Sequence, residues 1–140
     1  MTAATPRSMR PGPRPGARAL RVLIADDDRD TVMTLGILLR SESFNVRLAT
    51  CGAEVLALVQ EFRPDVVLLD IAMPDRSGLQ VALDLKRELG ERCPVLVAVT
   101  AHSTDAARRL TAKSGFQHHV AKPYDPEALI RLMASIEPAD

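Results

Sequence analysis

The residues of this chain best suited to chemistry are polar side chains that directly follow short apolar segments. They are Asp26, Asp27, Asp28, Asp70, Thr100 and Lys122. Neighbouring carboxylates repel each other, and the end of a buried strand is an unfavourable place for their charge. One lysine is not enough to neutralise several carboxylates. A hard divalent ion, which prefers oxygen ligands, would neutralise the remaining charge. A carboxylate beside such an ion and a lysine is suited to attack phosphorus, so the set predicts phosphoryl chemistry.

The apolar segments that precede these residues have the pattern of strands covered on both faces. The clearest are residues 21–25, 65–70 and 94–100, and weaker candidates are 45–50 and 118–122. Segments with helical spacing of apolar residues lie between and after them, at 30–42, 52–62, 78–89, 104–115 and 125–136. Five alternations of strand and helix predict a doubly wound α/β domain with a parallel sheet. Ligands of such folds bind beyond the carboxyl ends of the strands, where the polar residues fall.

Composition limits the possible partners. The chain has 140 residues, 46% hydrophobic but only 3% aromatic, which predicts one aliphatic core and no base-stacking surface. Residues 1–19 contain four prolines, four arginines and no acid, and we predict a disordered tail there. All 18 acidic residues lie outside this tail, with 14 of the 18 basic ones. A mildly acidic domain is not expected to bind nucleic acid directly.

The predicted location is the cytoplasm. No apolar segment approaches the length of a membrane span, and the N-terminus lacks the apolar core of a signal peptide. Cys51 and Cys93 match no metal-binding or redox spacing, so we expect two reduced thiols.

Residues 20–137 resemble the receiver domain of bacterial two-component and phosphorelay response regulators. The segments that carry the resemblance are VLIADDD (22–28), PDVVLLDIAMPDRSG (64–78), VLVAVTAHS (95–103) and GFQHHVAKPYDPEAL (115–129). The last is most similar to receivers of hybrid sensor kinases, while the end of the chain after the fifth helix is also compatible with a single-domain regulator. The resemblance implies a flavodoxin-like sheet of five strands in the order 2-1-3-4-5, with five helices.

The resemblance also implies a phosphorylation site and an ion. Asp70 would accept a phosphoryl group from a histidine kinase or a histidine phosphotransfer protein. Mg²⁺, or Mn²⁺ in its place, would be bound by Asp27, Asp70 and the backbone carbonyl of Ala72, with Asp26 close by or acting through water. The domain would catalyse only its own phosphorylation and dephosphorylation, so we do not expect a conventional enzyme.

The remaining site residues would bind the phosphoryl group and transmit its presence. Thr100 and Lys122 would bind the phosphoryl oxygens. Thr100 and His119 would form the switch, in which the aromatic ring turns inward and changes the surface of the fourth helix, fifth strand and fifth helix for a downstream protein target. Pro123 matches a position that in this family commonly follows a cis peptide bond.

Two alternatives remain open from the sequence. The segment DRDTV (28–32) fits the pattern of haloacid-dehalogenase-like phosphatases, in which Asp28 would be the nucleophile. The domain could also be an interaction module that is never phosphorylated. Against the first alternative, we expect Asp28 to cap the first helix, with Arg29 as the first helical residue. We further expect the loop residues Asp75, Arg76 and Ser77 to face solvent, where a partner would contact them.

Overall fold

A computed structural model of the chain describes residues 18–101 and 103–138. The strands are β1 (Arg21–Ala25), β2 (Asn45–Ala49), β3 (Val66–Asp70), β4 (Val95–Thr100) and β5 (His118–Ala121). The α-helices are α1 (Arg29–Ser41), α2 (Gly52–Phe62), α3 (Gly78–Leu89), α4 (Asp105–Lys113) and α5 (Pro126–Ala134). A 3-10 turn at Gly90–Arg92, which the sequence analysis did not predict, follows α3. The predicted tail lies outside the described residues except for its last two, Arg18 and Ala19.

The five strands form one sheet in the order β2-β1-β3-β4-β5, and all neighbouring strands are parallel. This confirms the predicted doubly wound α/β class and strand order. Strand order reverses between β1 and β3, which both run toward the same edge of the sheet. That edge, the carboxyl edge, is where such folds bind their ligands.

Two layers of helices explain why the strands are continuously apolar. On one face, α1 and α5 pack on the sheet through buried aliphatic side chains such as Leu39 and Met133. On the other face, α2 and α3 do the same through residues such as Val55 and Leu85. Helix α4 differs, because its one buried residue is the polar Thr111.

The start of α1 agrees with the sequence analysis, and two other helix ends follow familiar local rules. The Asp28 carboxylate accepts hydrogen bonds from the backbone N–H groups of Asp30 and Thr31, and α1 begins at Arg29. Asp125 caps α5 in the same way, with Pro126 in the first turn. Gly115, just after α4, has a φ of 102°, a conformation that glycine adopts without strain. Across the described residues, no helix is both long enough and apolar enough to cross a membrane.

Candidate functional site

Strand register brings the polar residues of the carboxyl edge together. Ile24 of β1 pairs with Leu68 of β3. Because side chains alternate between faces, Asp26 and Asp70, each two residues further on, are neighbours on the same face. Lys122 directly follows β5 and extends toward them from the other side of β4. The peptide bond between Lys122 and Pro123 is cis, as the resemblance implied.

Lys122 is shared by two buried carboxylates. Its Nζ donates to Oδ2 of Asp26 at 2.8 Å and to Oδ2 of Asp70 at 3.4 Å. The other oxygen of each acid accepts a backbone N–H: Asp28 donates to Asp26 at 3.0 Å, and Ala72 donates to Asp70 at 3.1 Å. Asp26 and Asp70 are only 4% and 6% exposed. Lys122 is therefore closer to Asp26, and Asp70 is the less completely paired of the two acids.

The two acids respond to this environment in opposite directions. Burial raises the pKa of Asp26, but hydrogen bonds from Lys122 and the Asp28 amide, with the charge of Lys122, outweigh burial and hold the pKa below its usual value. Burial also raises the pKa of Asp70, the nearby Asp26 charge raises it further, and the net pKa is higher than usual. Burial alone would lower the pKa of Lys122, but its contacts with both acids raise it.

The exposed Asp27 completes an acidic cluster. Asp26, Asp27 and Asp70 each place a carboxylate oxygen so that the three atoms lie within 4.8 Å of one another. This all-oxygen set with excess negative charge fits a hard divalent cation such as Mg²⁺. Both oxygens of Asp26 already accept hydrogen bonds, which makes Asp27 the more available ligand.

Thr100 ends β4 at the same edge of the sheet as this cluster, and His119 lies two register positions before that edge in β5. Thr100 is a buried residue at the end of β4, between β3 and β5. His119 is opposite Ala98, so by alternation His119 and Thr100 share a face of the sheet, the one opposite to Asp70. The structure thus brings both predicted switch residues to one face beside the acidic edge.

The His119 ring is attached to α4 through the single buried residue of that helix. The Thr111 hydroxyl donates to the Arg108 carbonyl at 2.9 Å, so it can only accept from the His119 Nδ1–H, which is 3.2 Å away. The His119 Nε2 lies 3.5 Å from the Ser103 hydroxyl oxygen. The ring therefore joins β5 to α4 and to the loop before it.

The three residues expected to face solvent for a partner are exposed, but each also has a structural contact that the sequence analysis missed. Ser77 caps α3 by accepting from the Leu79 N–H. Arg76 pairs with the buried Asp84 of α3 at 3.0 Å. The Asp75 carboxylate accepts hydrogen bonds from the first two residues of α2. Only the cap at Ser77 has a local sequence signal, a serine directly before a helical segment.

The phosphatase alternative receives no support from this geometry. Asp28 would have to be a nucleophile at a strand end, yet β1 ends at Ala25 and the Asp28 carboxylate caps α1. Its oxygens accept from the Asp30 and Thr31 backbone and from the Thr31 hydroxyl.

A doubly wound parallel sheet with an acidic cluster and a lysine at its carboxyl edge defines a CheY-like α/β domain. The family model described as "Response regulator receiver domain" matches residues 22–134. The chain belongs to this family of phosphoacceptor signalling domains, which confirms the resemblance seen in the sequence.

Curated relatives agree. The chain is 36% identical over 114 residues to an uncharacterized 14.6 kDa protein of Leptolyngbya boryana, covering 80% of this chain and 86% of that protein. It is 36% identical over 110 residues to the DNA-binding response regulator MtrA of Mycolicibacterium smegmatis, covering 79% of this chain but 47% of MtrA. The chain therefore spans about half the length of MtrA.

Among solved structures, the receiver domain of Ssk1 from Saccharomyces cerevisiae, crystallised with the histidine phosphotransfer protein Ypd1, superimposes with a TM-score of 0.79. That match has 22% sequence identity and covers 85% of this chain and 89% of the other. At this identity the similarity demonstrates a shared fold.

Proposed function

We propose that Asp70 is the phosphoacceptor of this receiver domain. The observation that carries the proposal is the unequal pairing of two buried acids. Asp26 holds Lys122 at 2.8 Å, whereas Asp70 lies 3.4 Å from the same nitrogen and has the raised pKa. An incompletely neutralised carboxylate in a partly buried site is a suitable nucleophile.

The proposed transfer is a displacement at phosphorus. An Asp70 carboxylate oxygen attacks the phosphorus of a phosphohistidine, an O–P bond forms, and the P–N bond breaks. Its electron pair leaves with the imidazole nitrogen of the donor, which then takes up a proton. Lys122 is close enough to Asp70 to pair with a phosphoryl oxygen there, and Thr100 at the end of β4 would donate its hydroxyl to another.

A divalent ion belongs to this proposal, because three carboxylates and one lysine leave excess negative charge. Asp27, Asp70 and the Ala72 carbonyl would bind Mg²⁺ or Mn²⁺, and Asp26 would act from beside it. When bound, the ion neutralises charge on the phosphoryl oxygens during transfer. The contacts of Asp26 support a different role for this residue, which is to hold Lys122 in place.

The proposed switch uses Thr100 and His119. A phosphoryl group adds about −1.5 to −2 charge at pH 7 and offers new acceptor oxygens. We infer that Thr100 turns toward them and that His119 exchanges its bond to Thr111 for an inward position. Helix α4 has no other buried residue to hold it, so the surface of α4, β5 and α5 would change for a downstream protein target.

The proposed phosphodonor is a histidine kinase or a histidine phosphotransfer protein, and the proposed compartment is the cytoplasm, where such donors are formed. The structural similarity to Ssk1, a receiver crystallised with a phosphotransfer protein, supports this class of partner. We further propose that the receiver domain spans residues 20–137, with a tail before it whose Arg18 contacts the domain through Asp65. We also propose that the domain acts only on its own phosphoryl group and does not bind nucleic acid directly.

Intact-protein mass spectrometry after incubation with acetyl phosphate and Mg²⁺ tests the acceptor. The wild type should gain one phosphoryl group that hydroxylamine removes, and Asp70→Asn should gain none. Asp28→Asn is the matched control: asparagine still caps a helix, so this variant should be labelled like the wild type.

Each other result identifies an alternative. Labelling of Asp70→Asn would place the acceptor elsewhere. Loss of labelling in Asp28→Asn would restore the phosphatase hypothesis. A folded wild type that gains no phosphoryl group from acetyl phosphate or from a phosphohistidine donor would instead be an interaction module.

A further inference from the structure

The loop after the proposed phosphoacceptor is tightly closed at its base. We call residues 71–77 the acceptor loop; it joins β3 to α3 and contains Ala72. The Gly78 N–H donates to the Ile71 carbonyl at 2.8 Å. A Cβ atom at Gly78 would lie 2.5 Å from the carbonyl oxygen of Asp70, so the start of α3 touches the end of β3. The base of the loop is therefore fixed, and its tip needs a separate support.

Asp75 provides that support by capping a helix that is distant in sequence. Its Oδ1 accepts the Gly52 N–H at 2.8 Å and its Oδ2 accepts the Ala53 N–H at 3.0 Å. Cys51, at the N-cap position of α2, makes no capping hydrogen bond with its own side chain. The hydrogen bond from the Gly52 N–H, and to a smaller extent that from the Ala53 N–H, holds the pKa of Asp75 below its usual value. One carboxylate thus satisfies two N–H groups of α2 and holds the tip of the acceptor loop.

Packing around these hydrogen bonds leaves little room for the loop to move. A Cβ atom at Gly52 would lie 3.0 Å from Cβ of Arg76 and 3.2 Å from Cγ2 of Val81. Arg76 in turn pairs with Asp84 of α3 at 3.0 Å. The acceptor loop is therefore held by α2 on one side and by α3 on the other.

We propose that Asp75 is a positioning residue for the ion-binding site: by fastening the acceptor loop to α2, it sets the position of the Ala72 carbonyl relative to Asp27 and Asp70. This inference rests on the proposed function, in which that carbonyl is an ion ligand. Groups that orient metal ligands from outside the coordination shell commonly change metal affinity when they are removed. Asp75 would act on the site without touching the ion.

The test compares Asp75→Ala with Glu54→Ala. Glu54 supports the same end of α2, since it accepts from the Thr50 N–H and hydroxyl at 2.8 and 2.9 Å, but it does not hold the acceptor loop. Mg²⁺ affinity is measured directly, by titration of backbone amide NMR shifts without phosphodonor. Asp75→Ala should weaken Mg²⁺ binding about tenfold, the lower end of the range for such supporting groups. Glu54→Ala should leave it unchanged.

Two further readouts separate positioning from a general loss of stability. The Gly52 and Ala53 amides should exchange faster with solvent in Asp75→Ala, while the acetyl phosphate reaction at saturating Mg²⁺ should recover most of its wild-type rate. Asp75→Asn keeps one acceptor oxygen and should lose only about threefold in Mg²⁺ affinity, an intermediate effect expected for a partly retained contact.

Equal Mg²⁺ affinity in the wild type and Asp75→Ala would overturn the inference, and so would an equal loss in Asp75→Ala and Glu54→Ala. If Asp75→Ala does not fold, the same comparison is made with Asp75→Asn, for which wild-type affinity would overturn it. Failure of the proposed function has a different signature, because either Asp70→Asn would then gain a phosphoryl group or the wild type would gain none.

Discussion

Buried carboxylates lie beside a basic side chain at both ends of the central strands. The two ends differ in how completely those carboxylates are paired. At the amino end, Asp65 receives two hydrogen bonds from the Arg18 guanidinium, at 2.7 and 2.6 Å, and one from the Arg21 N–H at 2.8 Å. At the carboxyl end, Asp26 and Asp70 share the single Nζ of Lys122, with Asp27 close by. Among the residues that the structure describes, one acid at the amino end has a full set of donors, whereas the three acids at the carboxyl end lie around one cation.

This difference separates a structural ion pair from a reactive site. The planar guanidinium matches the two oxygens of Asp65, and that acid needs nothing more. The acids at the carboxyl edge remain incompletely neutralised until a cation binds. Asp70, whose raised pKa shows that the fold disfavours its charge, is the kind of residue that is kept where function requires it.

The largest expected effect is at the amino end. Arg18→Ala should lower the free energy of unfolding by about 2–3 kcal/mol, because it removes the guanidinium that pairs with the buried Asp65. This figure is below the usual range for a broken buried pair, since the Arg18 side chain is 34% exposed. Urea unfolding measures the change. The Arg87 side chain, which pairs with Asp84, is 73% exposed. Arg87→Ala should therefore lower the free energy of unfolding by less than about 0.5 kcal/mol. Equal losses in the two variants would contradict the comparison.

At the carboxyl edge we expect the removal of a charge to raise the free energy of unfolding. Without divalent ions, Asp70→Asn should raise the free energy of unfolding by about 1 kcal/mol at pH 7, because it removes an acid whose charge the fold disfavours. The pKa of Asp70 is raised in the folded state, so its charge penalty is present above that pKa. The penalty disappears as pH falls below the unfolded value of 3.8. The advantage of Asp70→Asn should therefore shrink as unfolding is measured at successively lower pH.

Asp65→Asn is the matched control for this result. It removes the same charge from an acid that is fully paired, and it should lower the free energy of unfolding by about 1–3 kcal/mol. Destabilisation by Asp70→Asn in metal-free buffer, similar to that by Asp65→Asn, would mean that both ends of the strands are structural.

The sequence predicts one of these two ends much better than the other. Asp26, Asp70, Thr100 and Lys122 each follow an apolar strand segment, and a parallel sheet necessarily brings such positions to one edge. The fold class and the assembly of the acidic cluster were therefore predictable from the pattern, whereas the strand order came from the resemblance to the receiver family.

Other contacts join residues that are distant in the sequence and have no local signal. Arg18 was assigned to the tail, yet it pairs with Asp65, 47 residues later. Asp75 caps a helix that begins 23 residues earlier. Such pairs depend on how loops lie over the finished sheet, which neither periodicity nor capping patterns specify.

The last comparison divides the three adjacent aspartates at the carboxyl edge itself. Asp28→Ala should lower the free energy of unfolding by about 1 kcal/mol, the usual loss for a helix cap, since Asp28 accepts from the Asp30 N–H at 3.1 Å and the Thr31 hydroxyl at 2.9 Å. Its Mg²⁺ affinity should stay at the wild-type value. Urea unfolding in metal-free buffer and a Mg²⁺ titration of the same samples measure both quantities.

Asp27→Ala should give the reverse pattern and so serves as the control. Its exposed carboxylate belongs to the acidic cluster and caps no helix, so Mg²⁺ binding should weaken strongly while metal-free stability is kept or slightly raised. If Asp28→Ala abolished Mg²⁺ binding instead, the boundary between structural and functional acids would lie one residue further along the chain. In that case hydrogen bonding would not distinguish a structural carboxylate from an ion-binding one, even between the adjacent Asp27 and Asp28.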